Sequence, residues 1–172
     1  MTLTIGLKLP PYMWSTQFEH VVRSISKLSA DIAGEGQSEG GRNAFAFLTC
    51  TNTLGSSLIF ADQVEHNGPS LNANQFALPT AIGGLAGEPI HSLSLGNVHT
   101  FTRLLERTVV LRNVKVIGVG GVTSPEAVDR MRKAGASVVG CATLLGREGV
   151  EAFEKLSARF MIGQDWVRKN PA

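Results

Sequence analysis

Four short apolar runs are spaced along the chain: Leu3–Leu7, Ala44–Thr49, Val114–Val119 and Ser137–Cys141. Each is too short for a helix and shows no polar face, so the pattern predicts strands of a parallel sheet covered on both sides. Between and after them the apolar residues recur with a helical period. Phe18, Val21, Val22, Ile25 and Leu28 form one stripe, and Thr16 with Glu19 supplies the residue pair of a capping box at its start. A second helix, from about Ser92 to Thr108, turns Val98, Phe101 and Leu105 inward. A third runs between Ser124 as N-cap and Gly135 as C-cap, with Pro125 at the first position, Glu126 in the electropositive first turn and basic residues in the last. Its inward residues are Val128, Met131 and Ala134. The last predicted helix spans about Glu148 to Met161, buries Val150, Phe153, Leu156 and Phe160, and carries Glu151 and Lys155 as an i,i+4 pair.

The resulting order is βαβ, a long connection, then αβαβα, the alternation that builds a parallel sheet through right-handed crossovers. Ala30–Arg42, rich in Gly and Ser, is expected to be a flexible surface insertion, and Asp62–Asn74 a second long excursion after strand two. At 172 residues with 43% hydrophobic composition, the chain suits one core. A net charge of +2 with scattered Lys and Arg argues against a nucleic-acid footprint or a polybasic membrane patch. No apolar run approaches the ~20 residues of a membrane helix, and the start lacks the order of a signal peptide. Cys50 and Cys141 lie inside apolar runs and read as buried residues of a reducing compartment. His20, His66, His91 and His99 share no spacing, so no metal site is expected.

Chemistry concentrates where strands end. Ile82–Gly87, Ile117–Gly121 and Gly140–Thr143 each bear glycines, and the last two follow apolar strands and precede helix starts. Their amides can converge on an anion as a phosphate cradle, although glycines also relieve crowding at such turns. Asn52, in Leu48–Thr53, offers donors and an acceptor that suit a ring of alternating carbonyl and N–H groups, or a simple turn start. Lys8 closes the first strand directly before Pro10 and Pro11, an odd place for a charge in a strand that reads as buried.

"KLPPY" (Lys8–Tyr12), "TNT" (Thr51–Thr53), "GGLAG" (Gly83–Gly87), "IGVGG" (Ile117–Gly121), "SPEAVDRMRKAGAS" (Ser124–Ser137) and "CATLLGREG" (Cys141–Gly149) together resemble, in order and spacing, the carboxyl half of a dihydroorotate dehydrogenase. The resemblance implies a (β/α)8 TIM barrel of which this chain supplies strands five to eight with their helices. It implies FMN as cofactor and oxidation of dihydroorotate to orotate in pyrimidine biosynthesis. By this likeness Lys8 matches the flavin lysine, and Thr51 stands beside the flavin. Gly87, Gly120, Gly121, Ala142 and Thr143 match the positions that hold the FMN phosphate, while Asn52 and Thr53 match the pair that contacts the pyrimidine. "KLPPY" is similar to the soluble fumarate-using class, "TNT" and "GGLAG" to the quinone-using class, so the acceptor stays open between fumarate and quinone. A cytoplasmic location and a homodimer are the corresponding expectations.

A barrel of this kind needs about 250 residues, so the resemblance leaves the amino half, with its Cys or Ser base, outside this sequence. No catalytic residue is expected here, and neither Cys50 nor Cys141 matches the base. Three readings follow: part of a complete enzyme, a half that pairs with an amino half or with itself, or a flavin- or phosphate-binding protein without turnover.

Overall fold

The computed structural model describes residues 3–30, 43–63 and 76–157. Of the expected insertion Ala30–Arg42, Ala30 belongs to the first helix and residues 31–42 lie outside the described residues, as do most of the second excursion, Phe160 and Met161. Along the chain run β1 (Gly6–Leu9), α1 (Ser15–Ala30), β2 (Phe47–Cys50), β3 (Leu54–Leu58), β4 (Ile82–Leu85), α2 (His91–Arg107), β5 (Lys115–Val119), α3 (Pro125–Ala134), β6 (Val138–Gly140) and α4 (Thr143–Glu148). A further helical stretch covers residues 151–157.

β1, β2, β5 and β6 form a sheet in that order, parallel at every step. The four runs expected from sequence are these strands. Three start one to three residues late, and the first is displaced to include Lys8. The crossovers put α1, α2 and α3 on one side. There Leu9, Leu48, Cys50 and Val116 meet Phe18, Val22 and Ile25 of α1, Phe101 and Leu105 of α2, and Val128 and Met131 of α3. Phe101 has no exposed surface and stacks at a tilt on Phe18, with ring centroids 5.0 Å apart. Burying such a ring stabilises by roughly 1.5–3 kcal/mol.

Coverage of both faces, read from the apolar runs, is not what the structure shows. Side chains alternate along a strand, and the alternate set, Lys8, Phe47, Thr49, Lys115, Ile117 and Val138, is half-buried or exposed, with no helix over it among the described residues. In a closed barrel that second face is the interior, filled by side chains from the whole ring of strands, so its apolar residues are the same in sequence as those of a doubly covered sheet. On this face the ring of Phe47 lies over its register partner Gly6, in the space a Cβ on Gly6 would take.

The caps of α3 form as expected. Ser124 Oγ accepts from the Ala127 amide at 3.3 Å, Pro125 opens the helix, and Gly135 closes it at φ 112°. α1 starts differently: Gln17 Oε1 accepts from the Met13 and Trp14 amides at 2.9 and 3.1 Å, in place of the Thr16–Glu19 box. The expected last helix is also corrected. It begins at 151, after Gly149 turns the chain at φ 60°, and Val150 and Phe153 are 79% and 57% exposed, while Ala152 is fully buried and Leu156 packs against the core as expected. Lys155 pairs with Glu148 at 2.7 Å, not with Glu151.

β3 and β4, absent from the sequence expectation, pair antiparallel beyond the carboxyl end of β2. Gly83 and Gly84 of β4 leave room for the side chains of Leu78 and Thr53. Strands this poor in β-branched residues give little sequence signal.

Candidate functional site

The strand ends that carry the unusual residues converge. A pocket of about 80 Å³ opens at the carboxyl edge of the sheet, several times the ~10–15 Å³ a single water needs. Lys8 reaches it from the end of β1, and Thr51, Asn52 and Thr53 from the turn after β2. Gly87 enters ahead of α2, Gly120 and Gly121 follow β5, and Ala142 and Thr143 follow β6. All nine positions singled out in the sequence therefore line one cavity. The sequence reading missed Ala86, Ile90, Val119, Val122, Thr123 and Leu144, which complete its wall. Their adjacency to the glycine stretches was the available signal.

Hydrogen bonds across the sheet set the β2 turn. The Thr51 amide donates to the Val119 carbonyl at 2.8 Å and the Asn52 amide to the Leu9 carbonyl at 2.8 Å, tying the turn to both neighbouring strands. Thr51 is 4% exposed and its hydroxyl lies 3.1 Å from Ser94 Oγ. Asn52 Oδ1 accepts from the Thr53 amide at 3.0 Å, so the turn role considered for it is real, and its amide nitrogen can still donate to a ligand. Lys8 is exposed, not buried as its strand suggested, because its side chain leaves the uncovered face of the sheet.

The glycines after β5 answer to two constraints at once. Gly120 has φ 131° and Gly121 φ 64°, a region that disfavours side chains. A Cβ on Gly120 would strike the Ser94 hydroxyl, and one on Gly121 would come within 2.6 Å of His91 Cβ. Crowding against α2 thus explains why these residues are glycine, and the same closeness leaves their backbone bare at the pocket. Gly87 differs: its φ is 74°, and a Cβ there would meet only ordinary contacts with Thr143 and Pro89. After β6, Ala142 provides no side-chain cap to α4, so the first amides of that turn have no helical partner.

Among the described residues that line the pocket, Lys8 alone carries a charge, and the other polar groups are hydroxyls, one carboxamide and peptide bonds. That donor set suits an anion. Cys50 is buried beneath it, and burial pushes its thiol up to about 12, so it is neither accessible nor ionised near neutral pH. Cys141 lines a separate groove with Val128, Arg132 and Phe153. No group of acidic, His or Cys side chains able to hold a metal occurs among the described residues, nor does any helix there reach the length and apolarity needed to cross a membrane.

Comparison with known proteins shows the family. The family model for dihydroorotate dehydrogenase matches residues 4–161. A Streptococcus agalactiae protein named for dihydroorotate dehydrogenase A (fumarate) is 28% identical over 153 residues, covering 89% of this chain and 40% of the relative. A Streptococcus pneumoniae protein of the same designation is 28% identical over 156 residues, covering 91% and 41%. The crystal structure of the Eimeria tenella dihydroorotate dehydrogenase in complex with ferulenol superposes with a TM-score of 0.61 at 15% identity, over 95% of this chain and 35% of that one. The chain thus spans about two-fifths of the length of the curated relatives it matches, and its structural neighbours are TIM barrels. With the family model matched over nearly its whole length, the chain belongs to the dihydroorotate dehydrogenase family.

Proposed function

We propose that this chain forms the cofactor-holding part, and some of the substrate contacts, of an FMN-dependent enzyme that oxidises dihydroorotate to orotate in pyrimidine biosynthesis, with fumarate as electron acceptor. The observation that carries this reading is the meeting in one pocket of every residue that the family likeness assigns to flavin or pyrimidine. The acceptor rests on the fumarate designation of the streptococcal relatives.

The residues present fit the group. Peptide amides around Gly120, Gly121, Ala142 and Thr143, with the Thr143 hydroxyl, would hold the phosphate, and among the described residues no carboxylate lines the pocket to repel it. When bound, FMN supplies a hydride acceptor for the carbon that dihydroorotate oxidises. Lys8 would set a positive charge beside the electron-rich edge of the ring system and favour the state that carries more negative charge. Asn52 and Thr53 would orient the pyrimidine through their carboxamide and hydroxyl groups. The family likeness places the base that removes the substrate proton outside this chain, and Cys50, shielded and raised to about 12, does not supply it.

Absorbance of the purified chain with FMN tests the reading. Flavin uptake with a perturbed visible band is expected, and bleaching by dihydroorotate under anaerobic conditions is expected once the remaining strands are supplied. Failure to take up FMN would overturn it. A second reading, flavin or phosphate binding without turnover, is favoured by the presence of only one ionisable side chain in the described pocket wall. FMN uptake with no bleaching in the completed barrel would select it.

A further inference from the structure

Four polar residues are buried among those described: Thr51, His91, Ser94 and Asn97. Three belong to α2, at successive i,i+3 positions that share one helical face. Each takes hold of a different strand end. Asn97 Oδ1 accepts from the Tyr12 amide at 2.8 Å while its Nδ2 donates to the Tyr12 carbonyl at 3.0 Å, as a neighbouring strand would. Ser94 Oγ meets Thr51 Oγ1 at 3.1 Å. His91 Nδ1 lies 2.9 Å from the Gly120 carbonyl. Arg130 of α3 donates through Nε to His91 Nε2 at 3.1 Å. Since Arg can only donate, Nε2 is the acceptor and Nδ1 carries the proton given to Gly120.

Burying this many polar groups costs free energy that apolar residues would avoid, unless each is satisfied. Every buried side-chain nitrogen and oxygen among the described residues has a partner. The partners are not scattered. Tyr12 follows Lys8 on the rim of β1, Thr51 precedes Asn52, and Gly120 opens the glycine turn. The missing side chains of Gly120 and Gly121 let that turn lie directly on Ser94 and His91.

We propose that His91, Ser94 and Asn97 act as positioning residues for the ligand site, with Arg130 setting the tautomer of His91, so that α2 fixes the turns after β1, β2 and β5 relative to one another. The inference rests on the reading of the pocket as a flavin phosphate site. It goes beyond that reading by assigning the site's alignment to a helix whose polar side chains lie beneath it.

The test uses the full chain as His91→Leu, His91→Asn and Arg130→Leu. FMN affinity is measured by titration, and amide hydrogen exchange is measured without ligand. His91→Leu is expected to weaken FMN about tenfold and to raise exchange at Gly120–Thr123 while leaving the middle of β2 and β5 unchanged. His91→Asn, which keeps an N–H on the atom bonded to Cγ for the Gly120 carbonyl, is expected to return affinity to within about threefold of the parent. Arg130 is exposed, so Arg130→Leu is expected to fold and to show the same local rise in exchange in smaller degree; it decides the matter if His91→Leu does not fold. Unchanged affinity and exchange in all three variants would overturn the proposal. So would a rise in exchange across the whole chain that His91→Asn does not reverse, since that marks a merely structural role. If the parent chain takes up no FMN, the proposed function fails, and exchange at Gly120–Thr123 alone then decides this inference.

Discussion

Gly120 and Gly146 make opposite demands on an added methyl group. Gly120 sits at φ 131° with the Ser94 hydroxyl where its Cβ would be, so Gly120→Ala is expected to destabilise by about 2 kcal/mol or more. Gly146 lies inside α4 with nothing within 4 Å of its would-be Cβ, and Gly146→Ala should stabilise by about 0.5–1 kcal/mol. Urea unfolding of the two variants measures both signs. Cys50 yields a pH prediction. Its thiol is raised from 9.0 to about 12 by burial, so the folded state resists ionisation that the unfolded state undergoes. The stabilising contribution is therefore complete below pH 9 and is lost as pH rises from 9 towards 12. Cys50→Ala should flatten the alkaline limb of a stability profile relative to the parent. Individual site residues were legible because Lys8, Asn52 and the glycines are odd for the positions they hold. What the sequence could not convey was exposure: Lys8 stands in a run whose neighbours are apolar, and only the sheet's uncovered face reveals that its side chain is in solvent.

Among the elements, α3 was read most fully, because its stop and start signals are local. Ser124, Pro125 and Gly135 act within a few residues of themselves, and each does in the structure what its chemistry dictates. Ser124→Ala should cost about 1 kcal/mol, checked by thermal unfolding against Ser124→Gly, which should lose only a few tenths. α2 was half legible. Val98, Phe101 and Leu105 marked its apolar face, whereas Ser94 and Asn97 gave no signal and His91 was weighed only as a metal ligand. Their burial depends on strand ends far away in sequence, with Tyr12 and Asn97 separated by 85 residues. The β3–β4 hairpin was illegible for another reason: Leu54–Leu58 and Ile82–Leu85 hold mostly Gly, Ser and Leu, whose preference for strand is weak, so tertiary pairing alone makes them strands. The last helix was misread at its start and along its stripe: Gly149 turns the chain so that the helix begins at 151, and of Val150, Phe153 and Leu156 only Leu156 packs against the core.

For the molecule as a whole, the parallel order β1-β2-β5-β6 leaves, among the described residues, β1 and β6 as edges and one face of the sheet without a layer. Val138 on β6 is 53% exposed there. Unpaired edges with apolar side chains invite association, so light scattering by the purified chain is expected to rise with concentration, and Val138→Lys should delay the rise. An unchanged onset would mean that the edge is not the point of contact. The alternation that identified the fold class was visible in the spacing of the runs, but the sequence of an inner barrel face and that of a helix-covered face use the same apolar residues, so which face stayed bare was not. The pairing of Gly6 with Phe47 on that bare face carries an evolutionary consequence. One ring occupies the volume of two neighbouring strands' side chains, so the two positions are bound to change together. A lineage that gains a side chain at position 6 must surrender bulk at position 47. Gly6→Val combined with Phe47→Ala should therefore be more stable than the two separate losses predict, a non-additivity measurable by a double-mutant cycle.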